Sequence, residues 1–121
     1  LYPEEYLKGI ELFNNNKYWE AHEAWESVWR AAKGDEKLFY QALIQAAAAL
    51  LHYDRSNSQG AHLCIKNSLA KLEKLPTPFM SLELKAFVSE LRIFLADVLE
   101  NGETMVSKNI NLPHPKIILQ E

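Results

Sequence analysis

His22 and Glu26 stand four residues apart in the stretch Trp19-Glu20-Ala21-His22-Glu23-Ala24-Trp25-Glu26-Ser27-Val28-Trp29-Arg30. On a helix this spacing sets an imidazole beside a carboxylate. Such a pair can grip one divalent cation: zinc, iron or manganese. The carboxylate can also fix the tautomer of the imidazole and raise its basicity, which makes His22 a general base. All three tryptophans of the chain lie in the same stretch. With His22 as origin, Trp29 falls at about −20°, Glu26 at about +40°, Trp25 at about −60° and Trp19 at about +60° around the helix. The pair is expected inside an aromatic arc, facing inward, where ionisable groups need partners.

Two ligands do not close a metal site. His52 or Glu23 is expected to supply a third, with water completing the shell. The pattern is not the His-Glu-x-x-His of metalloproteases, because position 26 is Glu and no second histidine follows. Arg30 follows Glu26 by four, so a His22–Glu26–Arg30 ladder is available on one side of the helix. A third reading is therefore open: a closed structural network in which Glu26 pairs with Arg30, accepts from Gln41 and orients His22.

The partners for this ladder come from a later segment. Taking Gln41 as origin, Gln45 lies at about +40°, Ala48 at about −20° and His52 at about +20°, one polar stripe on an otherwise apolar helix. A short connection makes the two helices antiparallel neighbours. That register sets Glu26 opposite Gln41 or Ala42, and His22 opposite Gln45 or Ala46. The run Ala46 to Ala49 either lets helices approach closely or leaves room for a small guest.

These helices belong to a chain that reads as all-α: an irregular bundle of about five helices with an extended C-terminal tail. The first helix spans Tyr2 to Asn14 and stops at Asn14-Asn15-Asn16, because Asn tolerates the left-handed conformation. The second runs from Tyr18 to Ala32. Gly34 closes it and Asp35 caps a third, Glu36 to Tyr53, whose middle is apolar nearly all round, as in the centre of a bundle. Arg55 to Ser58 is a polar turn, and a fourth helix continues to Leu75, where Pro76 and Pro78 stop it. Thr77 and Pro78 suit the start of a fifth, reaching Glu100 before the stop Asn101-Gly102. The prolines around His114 forbid a helix, so the apolar end Ile117 to Leu119 is expected to lie along the bundle as an extended strap, with His114 a simple tail residue. Cys64 reads as a small core residue and His62 as a boundary one.

The pattern His22-x-x-x-Glu26-x-x-Trp29, after Phe13-Asn14 and Tyr18-x-Glu20-Ala21, resembles the prokaryotic domain-of-unknown-function family 309. So do Tyr40-Gln41-x-Leu43-Ile44-Gln45-x-Ala47-Ala48-x-Leu50-x-His52, Gly60-Ala61 and Pro115-x-Ile117-x-Leu119. The resemblance covers most of the chain and is strongest in its first half. It implies a compact all-helical protein without an assigned activity, whose His-x-x-x-Glu-x-x-Trp motif binds metal. Gln41 departs from the pattern, standing where Gly is expected, so a bulkier side chain enters the stripe.

The 121 residues suit one helical domain over 1–121, and a net charge of −3 argues against nucleic acid as a partner. No apolar run is long enough for a membrane span, and a single cysteine fits a reducing, cytoplasmic setting. Two functions are therefore carried forward. One is a polar cluster between helices two and three (His22, Glu26 and His52 on a divalent metal, with Trp19, Glu23, Trp29, Arg30, Gln41 and Gln45 around it). The other is a non-enzymatic interaction module that binds a peptide or a second copy of itself. For the latter, Asn16-Lys17-Tyr18-Trp19-Glu20-Ala21 resembles the Gly-x-Tyr-x-x-Ala turn of a tetratricopeptide hairpin, though no 34-residue recurrence exists. No reaction is assigned.

Overall fold

Helix boundaries here follow from short polar punctuation between apolar stripes. The structure, a computed structural model, describes residues 1–102 and 112–120. Among the described residues the helices are α1 (Glu4–Asn14), α2 (Tyr18–Ala31), α3 (Gly34–Asp54), α4 (Ser58–Leu72), α5 (Leu84–Phe94) and α6 (Ala96–Asn101). Pro3 precedes α1, and Glu4 and Glu5 sit in its first turn, where the helix dipole favours negative charge. Asn16, at φ +62°, turns the chain out of α1, and the Lys17 N–H returns to the Leu12 carbonyl. Gly34 takes φ +61° between α2 and α3. The residue preceding α3 is Lys33, which makes no side-chain cap, so the expected Asp35 cap does not form. Asn57 caps α4 by accepting from the Gly60 N–H.

α3 is the central rod, with α2 and α4 packed against it and α1 against α2. Ala42, Ala46, Ala47 and Ala49 of α3 are fully buried, so the alanine run serves close helix approach rather than space for a guest. Ser68 of α4, also fully buried, donates to the Ala42 carbonyl at 2.7 Å and so satisfies its hydroxyl at that tight seam. Trp25 is buried under α1, and its indole N–H donates to the Tyr6 carbonyl at 3.1 Å. Gly9 makes this possible, because a Cβ there would lie 2.2 Å from Trp25 Nε1.

The fifth expected helix is two helices and starts later. α4 ends at Leu72 instead of Leu75, and residues 73–83 form a loop closed by a Phe79–Leu82 bridge. Met80 and Ser81 hold φ of +47° and +64°, which no helix accommodates. Thr77 still helps to cap, as expected, but from a distance: its hydroxyl accepts from the Leu84 N–H at 2.9 Å. At Leu95 the helix breaks, and α6 ends before Gly102, the expected stop.

The described tail is extended, as expected, and is fastened mainly through its backbone. Asn14 donates to the Ile117 carbonyl and accepts from the Ile117 N–H, both at 2.8 Å. The Gln120 N–H meets the Ser81 carbonyl at 2.7 Å, and Leu119 bridges to Leu82. His114 is more than a tail residue: its ring packs on Tyr18 and Phe94. No helix among the described residues is long and apolar enough to cross a membrane.

Candidate functional site: the seam between α2 and α3

The i, i+4 ladder forms. His22 Nε2 lies 3.1 Å from Glu26 Oε2, and Arg30 donates to Glu26 Oε1 at 2.9 Å. Both carboxylate oxygens are thereby engaged. The expected bond from Gln41 to Glu26 does not form; Gln41 instead lines a cleft with Glu26, Trp29, Ile44 and Gln45. The cleft has a volume of about 190 Å³. The Lys37 ammonium lies 4.4 Å from the centre of the Trp29 ring.

The pair is less inward than the aromatic arc suggests. The His22 and Glu26 side chains keep 24% and 35% of their surface exposed, and Arg30 keeps 70%. The three tryptophans divide: Trp25 is core, Trp29 is half-buried, and Trp19 is 51% exposed with its ring stacked 5.1 Å from that of His22. The ladder therefore runs along the boundary between core and water. Glu20 and Glu23 lie on the exposed side, where they line a separate groove with α1.

Four buried side-chain polar atoms of α2 and α3 have no hydrogen-bond partner among the described residues: His22 Nδ1, Trp29 Nε1, Tyr40 Oη and Gln45 Oε1. Trp29 and Gln45 line the cleft, Tyr40 lines a different groove, and His22 lies outside the cleft lining, paired to Glu26.

His52 does not join them. In the register that sets His22 against Gln45, His52 lies seven residues further along α3, about 10 Å at the helical rise. Its Nδ1 accepts from Asn57 Nδ2 at 3.1 Å, and its ring packs over Gly60 at the start of α4. Among the described residues no group of three or more His, Cys, Asp or Glu side chains could hold a metal ion. The 3.1 Å between His22 Nε2 and Glu26 Oε2 falls between the edges of an octahedral and a tetrahedral shell, ~3.0 and ~3.4 Å, for ligands about 2.1 Å from an ion. The donor set thus fits an open two-ligand site and not a closed structural one, and the Arg30 guanidinium on the same carboxylate opposes a cation there.

A family model described as Domain of unknown function (DUF309) matches residues 6–63, which include the ladder, the cleft and His52. An uncharacterised protein of Aquifex aeolicus (strain VF5) is 33% identical over 101 residues, 82% of this chain and 29% of that protein. The uncharacterised protein YpuF of Bacillus subtilis (strain 168) is 32% identical over 75 residues, 60% of this chain and 43% of that protein. The crystal structure of the conserved hypothetical protein TTHA0068 from Thermus thermophilus superposes with a TM-score of 0.69 at 29% identity, covering 79% of this chain and 99% of that one. The chain belongs to the DUF309 family. It spans less than half the length of these two curated relatives.

In this DUF309 chain, one residue of the cleft and one beside it are not evident from the sequence pattern. Ile44 reads as core, yet it is half-buried and forms cleft wall. Lys37 reads as an ordinary surface lysine. The antiparallel register is the available signal, since pairing Glu26 with Gln41 sets Arg30 opposite Lys37. Cys64 packs half-buried against the core, and burial pushes its thiol above the ordinary range, as befits a packing residue. His62 is a boundary residue whose Nδ1 lies 3.1 Å from the Val98 carbonyl.

Proposed function

We propose that the α2–α3 cleft is a recognition site and that this chain acts as a binding module through it. The supporting observation is that two residues lining this cleft, Trp29 and Gln45, each carry a buried polar atom without a partner, one a donor and one an acceptor. Leaving a buried donor or acceptor unpaired costs about 1–3 kcal/mol. A network that only fixes a helical core gains nothing from open valences and is normally closed. An open donor and an open acceptor on one cleft are the pattern expected where a ligand completes the network. At about 190 Å³ the cleft is smaller than the roughly 300–1,000 Å³ of pockets for drug-sized molecules, so it suits one small polar group or one side chain of a larger partner. The exposed Trp19 ring, stacked on His22, adds a flat apolar surface against which the rest of a partner can lie.

A divalent cation on His22 and Glu26 is the second reading, favoured by their 3.1 Å separation. One experiment addresses both. Protein labelled with ¹⁵N is titrated in turn with sodium propionate, methylammonium chloride, propionamide and zinc chloride, and the three indole N–H resonances are followed. The Trp25 indole is already bonded to Tyr6 and serves as internal control. A saturable shift of the Trp29 resonance alone, with an organic probe, supports the recognition site. A zinc response that disappears in His22→Ala supports the cation. If no probe moves Trp29, or all three indoles drift together, both readings fall.

A further inference from the structure

We propose that a second groove, between the C-terminal end of α2 and the start of α3, binds a primary ammonium group carried on a short apolar stem. This groove is separate from the cleft of Trp29 and Gln45 and does not depend on that cleft binding anything. Val28 and Ala31 of α2, Ala32 just beyond it and Pro3 ahead of α1 form its apolar walls. Ser27, Glu36 and Tyr40 form its polar lining. Tyr40 is the residue that points to a ligand. It is only 2% exposed, and its phenol oxygen has no hydrogen-bond partner among the described residues. Tyr6, whose ring lies edge-on to that of Tyr40, donates its own hydroxyl to the Met80 carbonyl at 3.0 Å and so does not serve it. Glu36 stands one helical turn earlier on the same face of α3. Burial, and after it the Glu36 charge, pushes the Tyr40 phenol up to about 12, so the phenol end of the ring lies toward the carboxylate of this groove.

The lining sets the sign of the guest. The Glu36 carboxylate brings negative charge and acceptor oxygens. The Ser27 hydroxyl has spent its proton on the Ala24 carbonyl at 2.7 Å, which leaves its lone pairs. The last carbonyls of α2 have no intrahelical partner, and the negative end of that helix dipole lies here. The neighbouring cations are turned to other groups: Arg30 to Glu26, and Lys37 to the Trp29 ring. Lys33 flanks the groove without lining it, and Asp35 and Glu36 offset the positive end of α3. The groove thus offers acceptors and negative potential. A primary ammonium answers with three donors and one positive charge, enough for Glu36, Tyr40 and a third acceptor. A carboxylate guest is repelled by Glu36, and a hydroxyl brings one donor and no charge. At about 290 Å³ the groove sits at the lower end of the roughly 300–1,000 Å³ of small-molecule pockets, which suits an amine of a few carbons. Two sources present that group: the side chain of a lysine in a polypeptide, and a free alkylamine.

The test compares probes that share a stem and differ at the head. n-Butylammonium, n-butyltrimethylammonium, n-butanol and butyrate are titrated against ¹⁵N-labelled protein at constant ionic strength, following the backbone amides of Val28, Ala31, Ala32 and Glu36. n-Butylammonium is expected to shift them saturably and to bind about tenfold or more tightly than the other three, which lack its N–H donors, its charge or both. Tyr40→Phe removes only the unpartnered oxygen; it should weaken n-butylammonium about fivefold or more while the Trp25 indole resonance stays in place. Glu36→Gln should erase the preference for n-butylammonium over n-butanol. The probe series on the unaltered protein decides the matter even if a variant does not fold. A lysine-bearing peptide with acetyl and N-methylamide ends then separates the sources. Tighter binding of the peptide than of n-butylammonium assigns a polypeptide partner, and weaker binding assigns a free amine; both support the ammonium site. Equal or tighter binding of n-butyltrimethylammonium, n-butanol or butyrate overturns it. So does an unchanged affinity in folded Tyr40→Phe, or silence of these amides to every probe. The Trp29 indole resonance reports the other cleft, so failure of one site is read apart from failure of the other.

Discussion

Gln45→Met should make the free protein more stable. Gln45 Oε1 is buried and unpartnered on the wall of the cleft. Removing an unpaired buried acceptor recovers its desolvation cost, about 1–3 kcal/mol. The residue as a whole is only half-buried, which places the gain at the lower end, about 1 kcal/mol. Gln and Met are nearly equal helix formers and both are unbranched, so the substitution carries little backbone penalty. For a domain of this size about 1 kcal/mol corresponds to about 3–5 °C in melting temperature. Thermal unfolding followed by circular dichroism, with a urea midpoint at the same pH, reads the difference. A fall of several degrees would refute the reasoning, because it would mean that the amide oxygen is engaged in the folded protein and that the polar seam is a closed structural network.

Gly9→Ala should destabilise, although a helical glycine replaced by alanine ordinarily gains about 1 kcal/mol. The new Cβ would lie 2.2 Å from Trp25 Nε1, so α1 must shift from a fully buried indole at an overpacking cost of about 1–3 kcal/mol or more. A melting temperature equal to or above that of the parent contradicts this. Arg30→Ala should change stability by less than about 1 kcal/mol, since its pair with Glu26 is exposed and i, i+4; a larger loss in a urea titration would show that the ladder carries the fold. Asn14→Ala should loosen the strap by removing both of its bonds to Ile117, seen as faster amide exchange at Ile117 while α3 amides stay protected; unchanged exchange there argues that side-chain packing alone holds the tail. Stability should also fall in alkali. Burial pushes the Tyr40 phenol up to about 12 and raises Tyr6 and Tyr18 further, whereas unfolded tyrosines ionise near pH ~10. The folded state thus keeps protons that the unfolded state releases. The contribution is fully present below about pH 10 and drains away as pH rises through about 12. A urea midpoint that stays flat over that range contradicts it.

The ends of the first three helices and the start of the fourth are legible because they are written in residue types: Asn14-Asn15-Asn16, Gly34 and the polar turn before Ser58. The stretch from Pro76 to Glu83 is not. Pro76 and Pro78 announce a stop, and Thr77-Pro78 also reads as a start, but the restart waits until Leu84 because Met80 and Ser81 are held left-handed, a conformation neither residue type signals. The break at Leu95 has no proline or glycine to mark it; Leu95 is fully buried. At the site, the ladder is legible from spacing alone, and the antiparallel register correctly sets Glu26 and Gln41 on one cleft. Depth is not legible, because tryptophan is ordinarily a core residue and Trp19 faces water. His52 falls outside the cluster because angle around a helix says nothing of distance along it. The open valences of Trp29, Gln45 and His22 depend on which partners tertiary packing withholds, and no sequence pattern carries that.

A crystal structure of the protein grown in propionamide would show the cleft with its guest. The expected density is a planar group between α2 and α3 that accepts from Trp29 Nε1 and donates to Gln45 Oε1. Density in which those two atoms bond to one another or to neighbouring side chains, with propionamide absent from the cleft, would contradict the recognition site.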